Sequence, residues 1–154
     1  MTMITTTAPI FRALLPTGGV LIGIDLGSNT IGTAFCDAGW SFASPASLIR
    51  RSKFAKDKAA LVAAIATRAT KGIVVGLPIN MDGSESPRSQ SSRAFAKNIE
   101  DLGLPILLWD ERLSTVAAER AMIEADLSRA KRAERIDNAA AAHILQAAID
   151  ALVA

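Results

Sequence analysis

Three places in the chain set carboxylates at the ends of apolar stretches. Asp25 closes the run VLIGID over residues 20–25, Asp110 and Glu111 follow the run LPILLW over 104–109, and Asp137 opens an alanine-rich segment. Carboxylates are hard oxygen ligands, and hydrolysis of a phosphodiester by two metal ions needs several of them around cations about 4 Å apart. Strands disfavour Asp, and a buried charge is costly without a partner. An acid inside an apolar strand therefore calls for a metal ion, a phosphate-binding role or a local turn to cap. Plainer readings stand beside the chemical one. Asp25 can cap its own turn, the 110–112 stretch can be a surface loop with an internal ion pair to Arg112, and Asp137 can be a first-turn acid favoured by the helix dipole. Each acid taken singly leaves both readings open; three at three element ends weigh toward one shared site.

Each acid needs an element to position it. Over residues 20–26, Val20, Ile22, Ile24 and Leu26 alternate with Leu21, Gly23 and Asp25, the pattern of a strand with two distinct faces. Gly23 lets a neighbour approach the backbone, and Gly27, Ser28 and Asn29 suit a tight turn into a second strand over 30–37. A third strand over about 40–48 completes an antiparallel meander. A helix is predicted over 56–69, then a short apolar strand at 73–77 of the kind covered on both faces. The 78–87 stretch is a polar loop, and Ser86 with Pro87 is a capped helix start. That helix carries Phe95, Ile99 and Leu102 and stops at Gly103. A second buried strand spans 104–109, and ligands gather at the carboxyl ends of such parallel strands, which places Asp110 or Glu111 on the edge that holds Asp25.

Further helices are expected at 115–124, with Val116 and Ile123 inward, and at 136–152, with a basic loop over 125–135 between them. In the last helix the row from Asp137 runs through Ala141, Ile144 and Ala148, so this acid heads a packing face. The order is βββαβαβαα. It implies an α/β fold with a mixed five-stranded sheet, a three-strand antiparallel meander plus two parallel strands, flanked by helices. Residues 1–18 read as a flexible or partly helical extension and 19–154 as one domain.

The totals exclude several classes. The chain has 154 residues, half of them hydrophobic, and a net charge of +2, which permits a nucleic-acid partner without requiring one. With one cysteine and one histidine, neither a disulfide framework nor a multi-His zinc site can form within the chain. Cys36 reads as a packed thiol. No apolar run is long enough to span a membrane, and no targeting segment is evident, so a cytoplasmic protein is expected.

Four stretches together resemble one family. They are GIDLG at 23–27, VGLPINMDG at 75–83, WDERLST at 109–115 and IDNAA at 136–140. In this order and spacing they are similar to the signatures of the YqgF family, also called RuvX, the Holliday junction resolvase-like family. The resemblance implies a ribonuclease H-like fold related to the RuvC resolvase. It further implies a nuclease that processes the 5′ end of the 16S ribosomal RNA precursor in ribosome biogenesis, with Holliday junction resolution as the older assignment. By motif match, Asp25, Glu111 and Asp137 would be the catalytic acids holding Mg²⁺ or Mn²⁺, as two ions, with Asp110 the next candidate ligand. The chain departs from the family at Ser28-Asn29, where a Thr-Lys-like pair is usual, and at Cys36, where Ser is usual.

On that reading Arg129, Lys131, Arg132 and Arg135 would hold backbone phosphates beside the metals, with Arg88, Arg112, Asn80, Ser28 and Asn29 contributing from neighbouring loops. The Arg50, Arg51, Lys53, Lys56 and Lys58 group reads as solvated charge. The expected partner is nucleic acid, either precursor ribosomal RNA or branched DNA, with no membrane; a homodimer is left open. Two rivals remain. The DLGSN stretch at 25–29 also resembles the first phosphate loop of actin-like and sugar-kinase phosphotransferases, but those need a second domain that 154 residues do not supply. A non-catalytic nucleic-acid or transcription-complex binding module would need no cluster of acids.

Overall fold

The computed structural model describes residues 3–113 and 129–154, and of residues 129–138 the helical backbone alone. Among these residues the chain forms six strands and four helices. The strands are β1 (Ile4–Thr5), β2 (Leu21–Leu26), β3 (Thr30–Cys36), β4 (Ala43–Arg50), β5 (Gly72–Leu77) and β6 (Ile106–Asp110). The helices are α1 (Ala8–Leu14), α2 (Phe54–Thr67), α3 (Pro87–Asn98) and α4 (Arg129–Val153). They build one mixed sheet in the order β1-β6-β5-β2-β3-β4. β1, β6, β5 and β2 run parallel, while β2, β3 and β4 form the antiparallel meander.

The predicted alternation of β2 sets the layers. Ile22, Ile24 and Leu26 join the core under α2 and α3 with Leu61, Phe95, Ala96 and Ile99. Leu21 joins the opposite core, in which α4 lays Ala141, Ile144, Leu145 and Ala148 on the sheet beside Phe11 of α1. Small residues let α4 come close. A side chain at Gly23 would meet Leu145 Cβ at 2.7 Å and the Ala141 carbonyl oxygen at 2.9 Å. Ser86 caps α3 as expected: its hydroxyl accepts from Ser89 N–H, and Ser89 returns a bond to Ser86 N–H.

The structure corrects three boundaries. Residues 4–5, expected within a mobile tail, add a sixth strand to the sheet, Ile4 pairing with Ile106 and Thr5 with Leu107. An edge ladder of two residues needs only a free neighbouring backbone, so side-chain pattern does not announce it. The last helix begins at Arg129 instead of Ile136, which makes helix of most of the expected 125–135 loop. Ala, Arg, Lys and Glu are strong helix formers, and no Gly or Pro interrupts 129–136. The helix beginning at Pro87 ends at Asn98, and a 3-10 turn, Glu100–Leu102, carries the chain to Gly103, whose φ of 78° is left-handed. The helix expected at 115–124 lies outside the described residues. No described helix is long and apolar enough to cross a membrane.

Candidate functional site at the carboxyl edge of the sheet

Asp25 is the penultimate residue of β2, pairing with Gly32 across the hairpin. Its parity with Leu21 and Gly23 turns it toward the α4 layer, where it is 1% exposed. Glu111 follows β6 in a 3-10 turn, Glu111–Leu113, and is 8% exposed. In β6, Leu107 and Trp109 face α4 while Ile106 and Leu108 face α2 and α3. Continuing that alternation sends Glu111 toward α4 and Asp110 away from it.

β5 separates the two acids, and Gly76 makes the connection across it. Ile24 pairs with Val75, and Gly76 pairs with Trp109, so Gly76 stands between the end of β2 and the end of β6. A Cβ at Gly76 would lie 3.1 Å from Glu111 Oε2 and 2.5 Å from Ile144 Cδ1. The missing side chain is the space into which the Glu111 carboxylate extends over the strand. Two carboxylates thus share one face of one sheet edge, under one helix. Sequence reading missed Gly76; its only signal was a glycine inside an otherwise bulky apolar run.

Asp110 has a different environment. Arg112 grips its carboxylate, Nη2 to Oδ2 at 2.7 Å and Nε to Oδ1 at 3.1 Å, and the Arg112 backbone N–H donates to Oδ1 at 2.9 Å. Those bonds hold the Asp110 carboxyl below its ordinary pKa and raise that of Arg112. The internal ion pair of the plainer reading is therefore present in this loop, and it engages Asp110 and Arg112 with each other.

Arg88, in the first turn of α3, reaches round the edge of the sheet. Its Nη2 lies 3.6 Å from Asp25 Oδ1 and donates to the Leu26 carbonyl at 3.2 Å. Ser28 and Asn29 are exposed at the hairpin turn, closed by a bond from Gly27 N–H to the Thr30 carbonyl at 2.8 Å. Asn80 shapes its own loop, its Nδ2 donating to Ser84 Oγ at 3.1 Å. Gly83 of that loop abuts Arg112, an added Cβ falling 3.4 Å from Nη1. Arg51, grouped by sequence with solvated charge, instead bonds the hairpin turn through Nη1 to the Gly27 carbonyl at 2.7 Å. Lys58 of the same group pairs with Asp101 at 2.7 Å. Cys36 is a packed thiol as expected, its pKa pushed up by burial.

Asp137, Arg129, Lys131, Arg132 and Arg135 fall on α4, and their side chains lie outside the described residues. The backbone gives their place in the fold. Gln146 of α4 accepts from Ala43 N–H at the edge opposite Asp25, so the helix runs from the edge that holds Asp25 toward that of Ala43. Position 137 is one turn before Ala141, toward Asp25. Among the described residues no three metal-ligating side chains cluster. The donor set nevertheless fits a hard divalent cation: two buried carboxylates, with Gly76 leaving room for one of them to extend.

Comparison with known proteins agrees with this architecture. The family model described as RuvX, Holliday junction resolvase, matches residues 19–151. A protein of Sphingopyxis alaskensis named "Putative pre-16S rRNA nuclease" is 67% identical over 150 residues, covering 97% of this chain and 99% of the relative. One of Novosphingobium aromaticivorans with the same name is also 67% identical, covering 97% of both chains. Among solved structures, T. thermophilus RuvC in complex with a Holliday junction substrate superposes with a TM-score of 0.55 at 15% identity, over 88% of this chain and 96% of that one. That likeness establishes the ribonuclease H-like fold of the RuvC resolvases. With the family match spanning residues 19–151 and relatives two-thirds identical over nearly their whole length, the chain belongs to the RuvX family.

Proposed function

We propose that the chain is a divalent-cation-dependent nuclease that hydrolyses phosphodiester bonds in RNA, processing the 5′ end of the 16S ribosomal RNA precursor. The observation that carries the reading is the pair of buried carboxylates, Asp25 and Glu111, on one face of the sheet edge across Gly76. Burial of two acids on one face is unfavourable through desolvation, and a divalent cation held between them offsets that cost. In this proposal Asp25, Glu111 and Asp137 hold Mg²⁺ or Mn²⁺, as two ions. When bound, such ions lower the pKa of a coordinated water and stabilise the charge on the leaving oxygen.

The chain's own groups do the rest. Asp25 and Glu111 fix the cations against a rigid sheet, and the α4 layer keeps the apolar side of the site dry. The basic residues Arg129, Lys131, Arg132 and Arg135 supply charge for the nucleic-acid backbone from the helix that carries Asp137. Asp110 is assigned to bracing Arg112 in the loop in preference to metal binding, since its oxygens already accept from that guanidinium. The RNA substrate is favoured by relatives two-thirds identical over nearly their whole length that bear the rRNA nuclease name.

Branched DNA is the second reading, favoured by the family description and by the fold shared with RuvC. One experiment separates the two. Purified protein is incubated with precursor 16S RNA and with a four-way DNA junction, each with Mg²⁺, with Mn²⁺ or with chelator. Metal-dependent cleavage of the RNA supports the proposal. Cleavage of the junction alone transfers the activity to DNA, and cleavage that survives chelation refutes the cation's part.

A further inference from the structure

Two guanidinium groups converge on the turn that follows Asp25. Arg51 leaves the end of β4, donating its backbone N–H to the Asn29 carbonyl at 2.9 Å and its Nη1 to the Gly27 carbonyl at 2.7 Å. Arg88 comes from α3 on the other side, donating Nη2 to the preceding carbonyl, that of Leu26, at 3.2 Å. Successive carbonyls of one turn thus fix two cations that start 37 positions apart in the sequence, at numbers 51 and 88.

Arg51 differs from three other basic groups among the described residues. Arg93 is neutralised by Glu85 at 2.8 Å, Arg112 by Asp110 at 2.7 Å and Lys58 by Asp101 at 2.7 Å. Arg51 has no carboxylate within ion-pair distance among the described residues; a carbonyl orients its guanidinium without cancelling the charge. Among the described residues one of its five side-chain N–H donors is engaged, by the Gly27 carbonyl. Arg88 touches Asp25 at 3.6 Å with its side chain 47% exposed, so it borders the acid while remaining open to solvent. A guanidinium pre-oriented by a carbonyl, on the turn that follows an acid, matches an anion with bidentate oxygens, and a backbone phosphate of nucleic acid has that form.

We propose that Arg51 and Arg88 form a two-arginine clamp for the nucleic-acid backbone, built on the β2–β3 turn and flanking Asp25. Arg88 takes the phosphate nearest the acids and Arg51 the next one along the strand. The clamp rests on the nuclease reading and assigns to that site a backbone contact, Arg51, which the charge pattern of the sequence had assigned to solvent.

The test measures binding without cleavage. A fluorescein-labelled RNA hairpin is titrated with full-length protein by anisotropy over a series of KCl concentrations, with Ca²⁺ replacing Mg²⁺. Each phosphate contact contributes about 0.7–0.9 to the slope of log K against log salt. Arg51→Gln is expected to reduce the slope by about that amount, and the double variant with Arg88→Gln by about twice it. Arg68→Gln is the control, since Arg68 lies over the Phe35 ring toward the opposite end of β3; its slope should equal that of the wild type. Arg51→Lys, which keeps the charge, should keep the slope even if the turn is less stable. An unchanged slope in Arg51→Gln, a slope lost equally in Arg68→Gln, or a slope lost in folded Arg51→Lys overturns the clamp while wild-type binding stands. Wild-type protein that shows no salt-dependent binding overturns the nuclease reading itself and the clamp with it.

Discussion

Replacing Gly76 by alanine tests how Glu111 is positioned. The new methyl would sit 2.5 Å from Ile144 Cδ1 and 3.1 Å from Glu111 Oε2. Carbon contacts are comfortable at about 3.5–4.0 Å, so Ile144 must retreat by roughly 1 Å and the carboxylate by several tenths. Ile144 is fully buried on α4, and overpacking of this kind costs about 1–3 kcal/mol. For a chain of this size each kcal/mol lowers the melting temperature by about 2–4 °C. Misplacing a reacting group by about 1 Å costs on the order of a hundredfold in rate, so a shift of part of that should cost roughly tenfold or more. Gly72→Ala is the matched control on the same strand. Its methyl would meet Leu15 Cδ2 at 2.8 Å, Phe11 Cζ at 3.0 Å and Leu21 Cδ2 at 3.1 Å, all apolar and at the opposite end of β5. Both variants should melt earlier than the wild type. Below both melting temperatures, only Gly76→Ala should be slow in Mg²⁺-dependent cleavage of labelled precursor 16S RNA. Equal rates for the two variants would refute the claim that Gly76 makes room for a working Glu111.

Other perturbations read the remaining parts of the site. Mn²⁺ at about a hundred times its dissociation constant stabilises a folded binder by about 2.7 kcal/mol, so the wild type should melt roughly 5–10 °C higher with the ion. Asp25→Asn should remove that shift while leaving a folded protein, and a retained shift would remove Asp25 from the metal site. Arg112→Gln should change the acid limb of the stability curve. The Asp110 carboxyl is depressed chiefly by its Arg112 bonds, so its contribution is present above the ordinary carboxylate pKa and is lost as pH falls through the lower folded value. Urea unfolding of the variant should therefore show a shallower loss of stability below about pH 4, and an unaltered acid limb would contradict the pairing. Ser86→Ala deletes the α3 cap and should cost about 1 kcal/mol in thermal unfolding, with cleavage unaffected once temperature is matched.

Several elements were legible because their residues obey a period or a cap. The two faces of β2 follow from Ile22, Ile24 and Leu26 alternating with Leu21, Gly23 and Asp25, and α3 follows from Ser86 and Pro87. The apolar runs of β5 and β6 are covered on both faces as their composition requires. Other features depend on contacts that no local pattern encodes. β1 exists because β6 has an open edge for Ile4 and Thr5, and those residues carry no alternation of their own. The start of α4 is obscured in sequence because the polar, basic composition of 125–135 suits a solvated loop as well as a helix. Adjacent acids 110 and 111 look alike in sequence, yet strand parity and the Arg112 pair give them opposite surroundings. Arg51 differs from the lysines around it only through a carbonyl 24 positions earlier, a relation visible only in the folded chain.

The central proposal is that divalent cations bind where β2 and β6 deliver their acids. Crystals of the wild-type protein soaked in Mn²⁺ and measured at the manganese edge test this directly. Anomalous density is expected within coordinating distance, about 2.1 Å, of carboxylate oxygens of both Asp25 and Glu111. Full soaking with no peak between those two side chains, in protein that still cleaves precursor RNA, would contradict it.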